Sequence, residues 1–340
     1  MLAAVPLALS AGATASADPA SAGRIPSVPA GAGTLTKHAP EIFWAKGHEP
    51  AGESRTAAAA ASNNLLYGGG TGAGVVSSQP AVYLVYWGSQ WSANDPLANY
   101  LTSFMNGLYG TGDDWTTVSQ QYCEGITTGS STCPTSATHV GVPSGALVKG
   151  VWFDNATPAV PADTLVNPTT SRVGDQLAAE AVRAAAHFGN TTAASNTQAH
   201  YVIALPSHFF TAGFGAYYCA YHSSVSSNYG SIAYTNLPYM TDFGISCGQN
   251  SVNSGAAGTY DGVSIVEGHE YMETVTDMRP STGWTDSGGQ ENGDKCAWIS
   301  SGQGAMADLT LSTGSFAVQS TWSNGFNNGS GGCVLHNSAP

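Results

Sequence analysis

Asp261–Asp294, DGVSIVEGHEYMETVTDMRPSTGWTDSGGQENGD, carries Asp261, Glu267, Glu270, Glu273, Asp277, Asp286, Glu291 and Asp294, eight of the chain's 22 acidic residues. At its centre stands His269-Glu270-x-x-Glu273, preceded by the apolar residues Val263, Ile265 and Val266. That pattern predicts a helix from Gly262 to about Thr276. Residues four apart share a helix face, so His269 and Glu273 could grip one metal ion from adjacent turns. Glu270 would stand beside the ion, where hydrolysis needs a base. This is the zinc-protease helix with a carboxylate in place of the second imidazole.

A catalytic metal needs a third protein ligand. Glu291, 22 residues after His269 and beyond the turn Pro280-Ser281-Thr282-Gly283, is the leading candidate. Asp294, one turn later, could replace it or support it from behind. Asp277 lies about two helical turns from His269, a longer reach. His222, in Cys219-Ala220-Tyr221-His222, is the best histidine from elsewhere in the chain, either as ligand or as a catalytic partner of Glu270. The competing ion is calcium, because Asp286, Gly288, Gly289, Glu291, Asn292 and Asp294 form an oxygen-rich loop. A solvated acidic helix face is the plainest alternative to both.

Outward from this segment, composition narrows the choices. Of 340 residues 42% are hydrophobic and only 9% charged, with a net charge of -13. Such acidity argues against nucleic acid and anionic membranes, which need a basic footprint. Residues 1–17 read as a signal peptide with its cleavage site at Ala15-Ser16-Ala17. Residues 18–78 read as a disordered Ala-, Gly- and Pro-rich linker or pro-segment, including the run Ala57 to Ala61. The cluster Gly68 to Gly74 follows polar linker rather than a strand, so it is spacer and not a phosphate loop. Six cysteines in an exported chain imply three disulfides. The simplest pairing joins nearest neighbours: Cys123 with Cys133, Cys219 with Cys247, and Cys296 with Cys333.

The folded domain is expected over residues 79–338. Ala81 to Trp87 reads as a buried strand, and Asp95-Pro96 as the start of a helix whose stripe is Leu97, Leu101, Met105 and Leu108. Further strands are expected at Trp115–Tyr122, Leu147–Phe153, Tyr201–Leu205, Ile232–Tyr239, Met306–Leu311 and Phe316–Trp322, with a helix over Val173–Phe188. Interleaved strands and helices predict an α/β or α+β class: one zincin-like domain with a mixed sheet and a metal-site helix. Gly244-Ile245-Ser246-Cys247-Gly248 spells a G-x-S-x-G motif, but loop residues follow it where a nucleophile elbow needs a helix.

The strand Val82 to Gly88, the pair Cys219-x-x-His222 and the segment Asp242 to Gly248 occur in a recognisable order. They precede Asp261-Gly262-Val263-Ser264-Ile265-Val266, His269-Glu270-x-x-Glu273-x-x-Thr276-Asp277, Gly283-Trp284-x-Asp286 and Glu291-x-x-Asp294-x-Cys296. Together these resemble the EXORDIUM or phosphate-induced family of plant extracellular proteins, and more closely its secreted bacterial relatives. The resemblance spans roughly Val82 to Cys333. It implies an extracellular protein with His269, Glu270, Glu273, Glu291 and Asp294 as a shared site, and names no reaction.

The expectation is therefore a secreted, monomeric metal-dependent hydrolase, a zinc peptidase acting on extracellular protein or peptide. His269, Glu273, Glu291 and Asp294 would serve the Zn2+ ion, with Glu270 and His222 catalytic. The alternative is a noncatalytic protein that binds cell-wall polymer or carbohydrate and holds a structural Ca2+. Neither reading involves nucleic acid, or a membrane once the signal peptide is removed.

Overall fold

The computed structural model describes residues 27–49, 64–69, 74–155, 172–209, 211 and 213–336. The signal-peptide reading of residues 1–17 and the run at 57–61 lie outside them. The described chain is mixed α/β, built on one seven-stranded mixed sheet. Val148–Asp154, Ala81–Trp87, Ala199–Ala204 and Gly230–Leu237 run parallel in that order. Tyr218–Ser227 then pairs antiparallel with Gly230–Leu237, and the short strands Thr36–Lys37 and Glu41–Trp44 pair antiparallel with its other side.

The sheet is covered on both faces. Residues 83 and 86 of one strand point to opposite sides. Tyr83 packs on Phe188 at the end of the Arg172–His187 helix, whereas the Tyr86 hydroxyl donates to the Ala98 carbonyl in the Pro96–Gly107 helix. Coverage on both faces explains why the central strands read as continuous apolar runs rather than alternating ones. The Asp261–Thr276 helix lies on the Pro96–Gly107 side, and every one of its residues is buried. The hairpin Ala307–Leu311/Gly314–Val318 closes over it, with the Ser264 hydroxyl donating to the Ala317 carbonyl (2.6 Å). At its start, Gly262 lies so near the Cys247 carbonyl that a β-carbon would come within 2.0 Å of that oxygen.

All three disulfides join nearest neighbours in sequence, as expected. Asp95 caps the Pro96–Gly107 helix through the Leu97 and Ala98 amides, and Leu97, Leu101, Met105 and Leu108 are its buried stripe. Other expectations need correction. Trp115–Tyr122 is no strand: Thr116–Gln121 forms a 3-10 helix. The β-branched Thr116, Thr117 and Val118 suggest extension, but Asp113 accepts from both the Thr116 amide and hydroxyl and bends the chain locally. Residues 36–37 and 41–44 lie in the stretch expected to be spacer, yet they form strands of the main sheet. Tyr218–Ser227 itself was not anticipated from the sequence. Its serines hide a strand that is buried along most of its length. Among the described residues, no helix is long and apolar enough to cross a membrane.

Candidate metal centre

Two elements aim side chains into one buried space. The Asp261–Thr276 helix presents His269, Glu270 and Glu273, and the Tyr218–Ser227 strand presents His222 from the sheet above. Helical spacing does what the motif predicts, with His269 Nε2 3.0 Å from Glu273 Oε1. The segment after the helix supplies the rest. Asp294 Oδ1 lies 3.8 Å from His269 Nε2, and the Asp294 amide donates to Glu273 Oε1 (2.9 Å). His269, Glu273 and Asp294 thus converge closely enough to share a cation.

Glu273 faces both ways. Its Oε2 lies 3.5 Å from His222 Nδ1, which is 3.2 Å from Glu270 Oε2, so His222, Glu270 and Glu273 form a second converging group. Glu291 is placed against the far side of the same imidazole, with its Oε2 3.5 Å from His222 Nε2. The structure therefore brings together all six expected residues and distributes them unevenly. Asp294 sits beside His269, whereas Glu291 sits beside His222. A short local contact contributes to this split: the Glu291 amide donates to Asp294 Oδ2 (3.1 Å), turning the backbone between them.

The loop is pinned from several sides. Asn292 donates to the Met272 carbonyl and the Thr276 hydroxyl at the helix end. Gln319 donates to the Gly293 carbonyl, the Trp322 amide donates to the Asn292 carbonyl, and the Cys296–Cys333 disulfide follows. Gly293 fits because it lacks a side chain: a β-carbon there would meet His269 Nδ1 at 2.7 Å and Glu273 Oε1 at 2.9 Å.

The remaining acidic residues of the segment do other work. Asp277 accepts from the Ser281, Thr282 and Gly283 amides and shapes the turn. Asp286 accepts from the Gly288 and Gln290 amides and pairs with Lys295 at 2.6 Å. Asp286 is thus committed to its own loop and to Lys295. Asp261 accepts from the Val252 and Asn253 amides at the helix start. Ser246 donates to the Phe243 carbonyl within the 3-10 turn Gly244–Cys247, so the G-x-S-x-G stretch is a turn tied by the Cys219–Cys247 bridge.

Electrostatics set this cluster apart from ordinary surface acids. His222, His269, Glu270, Glu273 and Glu291 are all at most 1% exposed. Glu270 and Glu291 meet no lysine or arginine among the described residues. Burial, reinforced by Glu273, Glu267 and Asp294, pushes Glu270 well above the usual carboxylate range. Burial, reinforced by Glu273, Asp277, Glu41 and Asp294, does the same to Glu291. Burial, with His200 and His269 nearby, holds His222 down at about 3, a neutral imidazole with a lone pair to offer. His222 Nε2, Glu270 Oε1 and both Glu291 oxygens are buried with no hydrogen-bond partner. Groups of this kind are costly unless something compensates them. A divalent cation would do so, and imidazole with carboxylate is a donor set zinc accepts.

Sequence reading missed three participants. Glu41 is the cross-strand partner of His222, and paired residues share a sheet face. Phe43 stacks on His269 at 3.8 Å, with Trp298 stacked behind it at 4.8 Å. Glu267 sits fully buried one turn before Glu270, its carboxyl pushed up by burial. Only Glu267 carried a local signal, the i, i+3 spacing from Glu270. Comparisons with family models, curated proteins and solved structures find no match for this chain.

Proposed function

We propose that the chain is a secreted metal-dependent hydrolase, a zinc peptidase with a zincin-like domain. The convergence of His269, Glu273 and Asp294, with Glu270 and His222 alongside, carries this reading. Those three residues would hold the ion, and Glu291 would steady His222 from behind. Bound zinc would polarise a scissile carbonyl and make water easier to deprotonate.

The chain's own groups account for the proton traffic. Glu270 is the base: it takes a proton from water and returns it to the leaving amine. His222 Nδ1, 3.2 Å away, fixes the orientation of that carboxyl. A carboxyl held above its ordinary range by burial is suited to carrying a proton in mid-reaction. The EXORDIUM resemblance agrees with an extracellular setting and is proposed with it. The three disulfides are compatible with that setting.

One observation favours the second reading, a noncatalytic extracellular cell-wall or carbohydrate-binding protein with a structural calcium ion: apart from Asp294, which is 18% exposed, the cluster is shut away from solvent. The two imidazoles argue against calcium, which prefers oxygen donors throughout. Metal analysis of protein purified without added metal decides between the readings. The hydrolase expects close to one zinc per chain, and Glu270→Gln that keeps the zinc while losing peptide turnover. Calcium alone, or full turnover by Glu270→Gln, would refute it.

A further inference from the structure

The site, open to solvent only at the partly exposed Asp294, has an identifiable cover. Glu41–Trp44 pairs antiparallel with Tyr218–Ser227 in the register Glu41 to His222, Ile42 to Tyr221 and Phe43 to Ala220. Pairing continues on both sides: the His38 amide donates to the Ser224 carbonyl, the Ala45 amide to the Tyr217 carbonyl and the Lys46 amide to the Ser246 carbonyl. This short strand forms the edge of the sheet. Beneath it runs the cluster. Glu41 is the cross-strand partner of His222 and shares its sheet face. Phe43, 1% exposed, lies flat on His269 between that ring and Trp298. Trp298 also donates from Nε1 to the Trp44 carbonyl (2.9 Å). Glu41 and Phe43, two apart on one strand, therefore share the sheet face that carries His222 and looks onto His269.

A peptide added to an exposed sheet edge gains backbone hydrogen bonds along the strand and specificity from alternate side chains. Resting on the hydrolase reading, we propose that residues 36–46 are a built-in pseudosubstrate, occupying the edge on which an extended peptide substrate is taken. The substrate class follows from the occupant: an unfolded or extended polypeptide, antiparallel to Tyr218–Ser227, with a large aromatic side chain where Phe43 lies.

The test uses the full chain with the recognition sequence of a site-specific protease inserted between residues 54 and 55. After cutting, a dye-labelled peptide of residues 36–49 is added in excess and its fluorescence anisotropy followed. The labelled peptide exchanges into the cut protein and not into the uncut chain. The same peptide with Phe43→Ala binds at least about tenfold more weakly, as expected of a buried aromatic anchor. The proposal is overturned if the cut protein takes up no peptide, or if its near-ultraviolet circular dichroism collapses when the native segment is diluted away. The strand would then belong to the core. Where the protein does hydrolyse peptide, equal rates for the uncut chain and for cut protein freed of the native segment overturn it as well. Metal content and turnover of the same samples judge the hydrolase reading separately: peptide exchange with no zinc and no hydrolysis removes the enzyme and leaves the peptide-binding edge.

Discussion

Replacing Glu270 by glutamine should stabilise the metal-free protein, even though the side chain sits at the centre of the site. Burial and the neighbouring carboxylates hold Glu270 well above the 4.5 of an ordinary glutamate. The folded protein therefore keeps a proton that the unfolded chain releases once the pH passes about 4.5. The folded state binds more protons over that window, so stability falls as pH rises. The fall is about 1.4 kcal/mol for each pH unit over which the folded carboxyl stays protonated. Glutamine resembles the protonated acid in shape and cannot titrate, so it escapes this loss. Stability gained on substitution should grow with pH above 4.5 at that slope, equivalent to roughly 2 °C in Tm per pH unit for a chain of this size. Thermal melts of both proteins in a chelator, from pH 4 to pH 8, measure it. Zinc should shrink the difference, because a cation favours the ionised carboxylate that only the native protein has. A difference independent of pH, or a variant less stable at pH 7, would show that Glu270 is an ionised member of a paired structural network.

Other perturbations separate the roles of neighbouring residues. Gly293→Ala would force a β-carbon onto His269 and Glu273, so zinc binding measured by calorimetry should weaken at least about tenfold with the fold retained. Asp277→Asn replaces one of the two oxygens that accept from the Ser281–Gly283 amides with a donor, costing about 1–3 kcal/mol in denaturant unfolding while metal content stays unchanged. Replacing Cys296 and Cys333 by serine opens a bridge spanning 37 residues, which should cost about 3–4 kcal/mol. His200 is held at about 3 by burial, so below pH 6.5 the unfolded chain gains a proton that the folded one refuses and stability falls with falling pH. His200→Gln should flatten that acid limb by about one proton in melts between pH 6.5 and 4.

The difference between what could be read from the sequence and what could not lies in the range of the interactions. His269 and Glu273 come together through 3.6-residue periodicity alone, which is local and written in the spacing. The buried runs Ala81–Trp87 and Ala199–Ala204 announce themselves through apolar content, and each disulfide joins cysteines that are neighbours in sequence. By contrast, Tyr218–Ser227 is a strand because Gly230–Leu237 and residues 36–44 pair on either side of it. Nothing in YCAYHSSVSS alternates, and half of its pairing comes from a segment about 180 residues away, which composition marks as spacer. His222 was accessible as Cys-x-x-His, but its partner Glu41 carried no local mark at all. The assignment of Asp294 to His269 and Glu291 to His222 is of the same kind. Both residues lie at plausible spacing after the helix, and spacing cannot rank them. The local contact between the Glu291 amide and Asp294 contributes, but the intervening backbone is anchored to distant parts of the chain, by Asn292 on the helix end and by Gln319 and the Trp322 amide. A helix can encode a pair of ligands by itself, whereas the remaining ligands are chosen by the fold that brings the loop and the edge strand to it.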